Sequence, residues 1–262
     1  FTPVVEAANF TGVPVIASEH NDPWKIEELW WNKEERLKCF ESVDNIHLLL
    51  NKFRESLPSQ LHNKVHIIPN GIEFPANFKP YNSRKKTIVA VGRLAEQKRF
   101  DRLIQAVSRI KEALLATEWH VEIYGEGHLR SELEELIDKL GVADLITLKG
   151  STNDIESVLN RASIFVMPSE FEGFGIALVE AMASGLPSIA FKQCNGPNEI
   201  INSKSGLLVK SIEELGDGLA QMIKNDKQRS IMSKNARFAS KQYEKETVFP
   251  KWVNMIKNVV GD

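Results

Sequence analysis

The sequence predicts an α/β protein built from doubly wound, Rossmann-like parallel sheets. Short apolar segments of strand length alternate with longer segments whose apolar residues recur every three or four positions, which is typical of strands connected by helices. Several of these strands are followed by segments rich in glycine and polar residues. Open parallel sheets bind ligands at that end of their strands. The same pattern therefore predicts where a site should lie.

Composition narrows the class of protein. Of the 262 residues, 42% are hydrophobic and 26% are charged, as in an ordinary globular protein. The net charge of −2 gives no electrostatic reason to expect nucleic acid as a partner. No apolar run approaches the ~20 residues that span a membrane. Cys39 and Cys194 have neither metal-ligand spacing nor a disulfide framework, so we expect reduced thiols in a cytoplasmic protein.

The first 68 residues alternate strand-like and helical segments. Strands are predicted at residues 13–17, 45–50 and 65–68, and helices at 32–40 and 51–57. Three strands are few for a domain of this kind. Residues 1–68 are therefore interpreted as the second half of an N-terminal Rossmann-like domain. Because the chain begins at Phe1 within a helical pattern, we expect a processed or incomplete chain.

Residues 69–86 are interpreted as a linker. Pro69-Asn70-Gly71 is a strong turn signal, and an irregular polar stretch with two prolines follows it. From residue 87 the alternation is regular up to about residue 245, which predicts a complete second domain. Its strands are predicted at residues 87–91, 120–124, 145–148, 163–167, 187–191 and 206–209. Helices are predicted at residues 100–114, 129–140, 155–161, 197–201, 211–224, 227–241 and 246–258, with one more between the strands at 163–167 and 187–191.

The segment 168–187 contains the main functional pattern. Gly173 and Gly175 allow a close approach of the backbone, and a helix that begins near Gly175 would offer free N–H groups to an anion. Glu172 and Glu180 are eight residues apart, or roughly 12 Å if the whole stretch were helical. That distance is too long for a shared proton but suits an elongated ligand such as a nucleotide diphosphate sugar. The alternative is that both carboxylates are merely solvated.

This segment also resembles a known family. Glu172-Gly173-Phe174-Gly175 followed by Glu180 resembles the E-x7-E signature of glycosyltransferase family 4, retaining enzymes of the GT-B fold. The resemblance covers essentially the whole chain. It implies a complete C-terminal nucleotide-sugar domain at residues 87–245, a partial acceptor-side domain at 1–68, and a helix in 246–262 that crosses back to it. The resemblance also implies that the part of the N-terminal domain that shapes the acceptor site is missing, which leaves open whether this chain is active by itself.

The loop Gly92-Arg93-Leu94-Ala95-Glu96-Gln97-Lys98 follows the first strand of the second domain. Arginine offers a fork of donors and lysine a point charge, so the pair could close on a diphosphate, although a solvated loop is the alternative. The loop resembles the GR-x4-K pattern of the family. That resemblance implies that Gly92 approaches the donor while Arg93 and Lys98 neutralise the leaving β-phosphate.

The resemblance assigns roles to the central segment. Glu172 would contact the hydroxyls of the transferred sugar and Glu180 those of the ribose. The backbone amides of Phe174, Gly175 and Ile176 would bind sugar and phosphate oxygens.

Three further positions are site candidates. His20 ends a strand, and although a lone histidine is more often structural, the Ser18–Asp22 segment resembles the place where the family contacts the donor sugar. Gly125 and Leu148 are implied to lie near the nucleotide base. The turn at Gly125 is not the dinucleotide fingerprint, because Arg130 stands where the third glycine should be.

The resemblance implies a retaining hexosyltransferase, as in bacterial polysaccharide biosynthesis. Such an enzyme transfers a hexosyl group from a nucleotide diphosphate sugar to a hydroxyl of a glycan or of a lipid-linked saccharide. A UDP-sugar is favoured because the segments 18–22 and 196–199 resemble bacterial enzymes that use such donors. No D-x-D metal motif is present, so neither a metal nor another cofactor is expected. A cytoplasmic location is expected, with peripheral contact to the inner membrane face through Trp24 or Trp30-Trp31. The alternatives are a nucleotide-sugar epimerase and a non-catalytic nucleotide-sugar-binding subunit.

Overall fold

A computed structural model describes residues 2–76, 78–79, 81 and 84–260. The chain divides into two compact units. The first unit comprises Phe1–Ile72, Glu172–Phe174 and Gln242–Asp262, and the second comprises Glu73–Phe171 and Gly175–Lys241. Each unit has its own parallel sheet, which confirms the predicted α/β class. The interpretation of residues 1–68 as an acceptor-side domain, 69–86 as a linker and 87–245 as a nucleotide-sugar domain stays a prediction.

The first unit contains a sheet of three parallel strands in the order β1-β2-β3. The strands are β1 (Ile16–Glu19), β2 (Asn45–Leu48) and β3 (Val65–Ile67), and the helices are α1 (Thr2–Thr11), α2 (Pro23–Leu29) and α3 (Lys33–Glu41). Two 3₁₀ helices, Asn51–Ser56 and Ser59–Lys64, connect β2 to β3. The first strand begins three residues later than predicted, so its end lies at the residue before His20.

A buried ion cluster supports the end of β1. The guanidinium of Arg36 is fully buried and binds both carboxylate oxygens of Glu19, at 2.8 and 2.6 Å. It also donates to Glu27 at 2.8 Å and to the hydroxyl of Ser56 at 2.9 Å. Burial raises the pKa of Glu19, and its bonds to Arg36 oppose that shift. The cluster ties β1 to the helices around it.

The second unit contains six parallel strands in the order β6-β5-β4-β7-β8-β9. They are β4 (Thr87–Val91), β5 (His120–Tyr124), β6 (Ile146–Gly150), β7 (Ile164–Met167), β8 (Ser188–Phe191) and β9 (Gly206–Val209). In order of appearance within the unit, this is the 3-2-1-4-5-6 arrangement of a Rossmann fold. The order reverses at the contact of β4 with β7.

Helices pack around this sheet. They are α4 (Phe100–Arg109), α5 (Lys111–Thr117), α6 (Arg130–Lys139), α7 (Ile155–Arg161), α8 (Ile176–Ala183), α9 (Asn195–Ile200), α10 (Ile212–Lys224) and α11 (Asp226–Ser240). The central strands β4 and β7 are almost entirely apolar, because a parallel sheet has both faces buried. Ile88, Ala90 and Ile164, for example, have no exposed surface.

The predicted helix over residues 100–114 is wrong as a single helix. Ile110 has φ −112° and ψ 18°, which ends α4 and starts α5. The predicted strand at 145–148 is also shifted, since β6 begins at Ile146 and continues to Gly150. The remaining strands of the second unit lie within a residue of their predicted limits.

The chain returns to the first unit through the 3₁₀ turn Lys241–Tyr243 and the helix α12 (Lys245–Val260). Val248 and Met255 of α12 are buried against Ile68, and Trp252 packs against the same cluster. The described residues contain no helix that is both long and apolar enough to cross a bilayer.

Candidate functional site

The carboxyl ends of β4 and β7 lie side by side where the strand order of the second unit reverses. Ile88 pairs with Ile164 and Val89 with Phe165, so the two strands run to the same edge. Ligands of open parallel sheets bind outside the strand ends at such a switch point. The loop after β4, residues 92–98, therefore lies where this kind of sheet holds its ligand.

Backbone hydrogen bonds join the loop after β4 to the loop after β5. The amide of Gly92 donates to the carbonyl of Tyr124 at 2.9 Å, and that of Leu94 to the carbonyl of Glu126 at 3.0 Å. Gly125 has φ 142°, and a Cβ there would lie 1.9 Å from the carbonyl oxygen of Gly92. Only glycine fits at that position. The predicted donor residues Gly92 and Gly125 are thus in direct backbone contact.

Lys98 folds back over Gly92. A Cβ at Gly92 would lie 3.2 Å from both Cδ and Cε of Lys98, so the lysine stem packs on the glycine backbone. The side chain of Arg93 is exposed. Within the described ranges its guanidinium has no hydrogen-bonding or ionic partner. Both side chains that are predicted to bind phosphate, Arg93 and Lys98, therefore extend from the same loop at the switch point.

Two hydrogen bonds connect this loop to the segment after β7. The amide of Glu170 donates to the carbonyl of Gln97 at 2.8 Å, and Nε2 of Gln97 donates to the carbonyl of Phe171 at 2.9 Å. The carboxylate of Glu170 accepts from Arg99 at 3.1 Å and from Arg102. Sequence analysis did not single out Gln97, because a glutamine in a charged loop has no distinctive spacing.

The helix α8 begins directly after Gly175, which has φ 97°. The prediction that a helix starts near Gly175 is confirmed. Ile176 is 47% exposed in its first turn, and Glu180 follows by four residues and lies on the same face. Burial raises the pKa of the Glu180 carboxyl. Among the described residues, no side chain offers this carboxylate a hydrogen bond or an opposite charge.

In the first unit, the end of β1 contacts the glycine that follows Glu172. A Cβ at Gly173 would lie 2.0 Å from the carbonyl oxygen of His20, so the two backbones are in direct contact. Glu172 is 7% exposed, and the ring of Phe174 packs edge-on against Tyr243 at 5.4 Å. The lack of a side chain at Gly173 therefore allows its backbone to contact the backbone of His20 within the same unit. This contact places the segment of Glu172 next to His20.

A cavity of about 210 Å³ lies at the carboxyl ends of β4, β5 and β6. Its lining residues are Val91, Gly92, Tyr124, Gly125, Ser151, Thr152 and Ile155. The side chain of Leu148 instead packs against the core of the second unit, and its carbonyl accepts from Arg130 at 3.2 Å. The strand end lies two residues beyond Leu148, at Gly150.

Two polar residues beside His20 were missed by the sequence analysis. The hydroxyl of Ser18 lies 2.8 Å from Nε2 of His20 and 2.7 Å from Nδ1 of His47. Ser18 opens the segment 18–22 that was singled out for His20, whereas His47 belongs to no motif, and their contact depends on how β1 and β2 pair. Within the part of the chain that the structure describes, no three His, Cys, Asp or Glu side chains are grouped as metal ligands would be.

The family profile described as glycosyl transferases group 1 matches residues 73–238, which is more than half of the chain. The chain belongs to this family. The match covers the loop after β4, the loop after β5 and the whole of α8, and so most of the site residues described above.

This group 1 glycosyltransferase chain has curated bacterial relatives. It is 28% identical, over 93% of its length, to the UDP-N-acetylglucosamine–peptide N-acetylglucosaminyltransferase GtfA subunit of Streptococcus parasanguinis, covering 50% of that protein. It is 29% identical, over 84% of its length, to an exopolysaccharide phosphotransferase of Streptomyces coelicolor, covering 24% of that protein. The chain therefore spans half or less of the length of these relatives.

Solved structures agree with this family in fold. The pneumococcal O-GlcNAc transferase GtfA, solved with UDP and GlcNAc, superimposes with a TM-score of 0.83 at 23% identity, over 99% of this chain and 55% of that one. Anabaena HepE, solved with UDP, gives 0.85 at 16% identity, over 97% of this chain and 75% of that one. The group 1 chain thus has the GT-B type of α/β fold that its sequence predicted.

Proposed function

We propose that this chain is the donor-binding part of a retaining glycosyltransferase of family 4. It would transfer a hexosyl group from a UDP-sugar to a hydroxyl of a glycan or of a lipid-linked saccharide. The proposal rests on one observation above all. The loop of Gly92, Arg93 and Lys98 lies at the switch point of a Rossmann sheet, next to the strand that leads into α8.

The diphosphate of the donor is proposed to bind at this loop. Arg93 is exposed and unpaired among the described residues, so its five donors are available to phosphate oxygens. The aliphatic stem of Lys98 already packs against Gly92. The side chain therefore has less conformational entropy to lose when its ammonium binds phosphate. The two positive charges would stabilise the β-phosphate as negative charge develops on it.

The ribose and the phosphates are also proposed to contact the first turns of α8. The first amides of a helix are free and carry a partial positive charge, which favours phosphate oxygens near Gly175 and Ile176. Glu180 lies one turn further on the same face. Its carboxylate is half-buried without a described partner, so two ribose hydroxyls would supply the hydrogen bonds that it lacks. The backbone of Phe174 is proposed to contribute to the same set of amides.

The remaining predicted residues are assigned to the sugar and the base. Glu172 and His20 are proposed to hold the hydroxyls of the transferred sugar. The nucleotide base is proposed to occupy the cavity lined by Gly92 and Gly125, with Leu148 contributing only through its backbone.

The reaction proposed is a front-face substitution at the anomeric carbon. The bond from this carbon to the β-phosphate oxygen breaks while a bond to the acceptor oxygen forms on the same face of the sugar. The leaving phosphate takes the proton of the acceptor hydroxyl. This route needs no metal, because Arg93, Lys98 and the start of α8 supply the positive charge.

The choice of UDP is supported by the relatives, several of which are named for UDP-N-acetylglucosamine or were solved with UDP. Membership of the glycosyl transferases group 1 family favours a transferase over the epimerase and the non-catalytic subunit. A cytoplasmic location with peripheral membrane contact stays part of the proposal, and Trp24 and Trp30 are 36% and 68% exposed.

The first test is calorimetric titration of the chain with UDP, GDP and ADP in the absence of metal. We expect micromolar binding of UDP and much weaker binding of the other two. Lys98→Ala and Glu180→Ala should each weaken UDP binding at least about tenfold, because a hydrogen bond to a charged group contributes about 1.5–3 kcal/mol.

Lys139→Ala is a matched control, since this lysine is exposed at the end of α6, away from the strand-end loops. It should leave the affinity for UDP unchanged. Unaltered affinity in both Lys98→Ala and Glu180→Ala would refute the assignment of the site.

A further inference from the structure

A chain of hydrogen bonds runs from His20 into the core of the first unit. Nε2 of His20 lies 2.8 Å from Oγ of Ser18, and the same Oγ lies 2.7 Å from Nδ1 of His47. Nε2 of His47 lies 2.7 Å from the carbonyl oxygen of Ile68. This series of hydrogen bonds thus begins at the exposed ring of His20 and ends at a backbone carbonyl in the core of the first unit.

Strand pairing creates this chain. Ser18 of β1 is the register partner of His47 of β2, and side chains of paired residues in neighbouring strands lie on the same face. His20 follows Ser18 by two residues and so continues on that face. The ring of Trp252 on α12 packs against the ring of His47 with centroids 4.3 Å apart, which covers His47 from water.

The donor and acceptor of each hydrogen bond in this series can be derived from the last acceptor, the carbonyl oxygen of Ile68. A carbonyl oxygen can only accept, so Nε2 of His47 must carry the hydrogen. His47 has no exposed surface, and burial lowers its pKa to about 4 against the opposing effect of its bond to Ile68. At neutral pH its ring is therefore uncharged, and its Nδ1 has a lone pair and no hydrogen.

The remaining bonds then follow in order. Nδ1 of His47 accepts, so the hydroxyl of Ser18 must donate to it. A hydroxyl has a single hydrogen, so Oγ of Ser18 can only accept from His20. When the ring of His20 is neutral, its Nε2 therefore carries the hydrogen and its Nδ1 has a free lone pair. Within the described ranges, Nδ1 of His20 has no hydrogen-bonding partner.

We propose that Ser18 and His47 are positioning residues that hold His20 in one tautomer and one orientation, with Nδ1 presented as the acceptor for a hydroxyl of the donor sugar. The sugar's role rests on the function proposed above, whereas the tautomer follows from the first unit alone. A rigid acceptor favours a hydroxyl in one position over a group that cannot donate, and so contributes to the choice of sugar.

The tautomer is tested by nitrogen-15 NMR of the full chain with labelled histidine. Spectra are recorded at alkaline pH, where histidine rings are neutral. His20→Gln and His47→Gln assign the signals. Both rings are expected to carry their hydrogen at Nε2. A hydrogen at Nδ1 of either ring would overturn the proposal.

The coupling is tested with Ser18→Ala. Loss of the hydroxyl should shift the Nδ1 signal of His47 and the signals of His20, and Ser18→Thr, which keeps a hydroxyl on a strand-compatible side chain, should restore both. Ser42→Ala is the matched control, because its hydroxyl donates to Cys39 in the same unit and lies outside the chain of bonds. Unchanged ring signals in Ser18→Ala would overturn the proposal.

The role toward the sugar is tested by titration with UDP and with UDP-N-acetylglucosamine. Ser18→Ala should weaken binding of the sugar nucleotide by about fivefold, which corresponds to one hydrogen bond, and leave UDP binding unchanged. Equal affinities of the variant and the original chain for the sugar nucleotide would overturn this role. If the original chain binds no UDP, the proposed function fails, whereas the NMR result on the tautomer stands independently.

Discussion

Glu180 combines burial with a charge that no described residue neutralises. A carboxylate in that state destabilises the fold, and such a cost is typical of a residue retained for binding rather than for stability. Burial raises its pKa above the ordinary value of 4.5. The folded chain therefore holds the proton of Glu180 more tightly than the unfolded chain does.

We predict that Glu180→Gln stabilises the ligand-free chain at neutral pH. Below pH 4.5 the carboxyl is protonated in both the folded and the unfolded chain, so its ionisation does not affect the free energy of unfolding. As the pH rises through the raised pKa, the free-energy cost of holding the buried charge appears. The unfolding temperature at pH 7 should rise on the order of 1 °C, because water still reaches part of the carboxylate. The gain should disappear at acid pH. Thermal unfolding followed by circular dichroism measures both.

Glu135→Gln provides the comparison, because Glu135 is an exposed residue of α6. Its unfolding temperature should equal that of the original chain at both pH values. A lower unfolding temperature of Glu180→Gln at pH 7 would show that the carboxylate has a stabilising partner.

At the scale of elements, the loops after β4 and β5 are joined by several backbone hydrogen bonds and by one exposed side-chain contact, between His128 and Glu96 at 2.9 Å. The strand limits at residues 87–91, 120–124 and 206–209 were predicted correctly, because turn residues bound these apolar runs. The contact of the two loops was not predictable. It depends on the register of β4 with β5, and a sequence without its pairing does not contain that information.

We predict that Gly125→Ala destabilises the second unit by at least about 2 kcal/mol, because alanine must adopt φ 142° and its Cβ meets a carbonyl oxygen. Gly216→Ala is the same change within α10, where the nearest atom would lie at an ordinary 3.5 Å. It should stabilise by up to about 1 kcal/mol through helix propensity. Urea unfolding measures both, and equal stability of Gly125→Ala and the original chain would contradict the prediction.

Helices show where sequence reasoning succeeds and fails. The apolar spacing of residues 100–114 continues through the break at Ile110, and no glycine or proline marks it. The helix α2 was missed although it has a clear start signal. Asp22 caps it by accepting from the amide of Trp24 at 3.1 Å, and Pro23 occupies its first turn. The break at Ile110 lacked a signal, whereas the start of α2 had one that was overlooked.

At the scale of the whole molecule, the predicted site residues divide between the two units. Gly92, Arg93, Lys98, Gly125, Leu148, Gly175, Ile176 and Glu180 belong to the second unit, and His20, Glu172 and Phe174 to the first. Motif resemblance predicts these residues, but not the positions that contact them. Ser18, His47 and Gln97 act through strand register and loop contacts, which have no sequence signature.

We predict that UDP protects the loops of the second unit from hydrogen exchange. Amides in residues 92–98, 125–127 and 175–180 should slow, because a ligand that binds only the folded state suppresses local opening. Lys98→Ala at the same UDP concentration should show less protection. Hydrogen exchange with mass spectrometry measures these segments separately.

A larger cavity, of about 480 Å³, lies beside α11 and is lined by residues such as Asn225, Ile231 and Asn235. Protection that appeared there and not in the strand-end loops would show that UDP binds elsewhere in the second unit.

The backbone contact of the two strand-end loops also bears on how such a protein can evolve. The amide of Leu94 and the carbonyl of Glu126 carry the contact, so it survives any side chain at position 126 or at the neighbouring position 93. Arg93 is exposed, and the ion pair of Glu126 with Arg130 is a surface pair of small energetic value. A library randomised at 93 and 126 should therefore remain largely folded, while its members that lose Arg93 should bind diphosphates more weakly, as the role proposed for that residue requires. Position 126 can therefore vary without loss of the fold, whereas position 93 can vary only at the expense of the phosphate contact proposed for it.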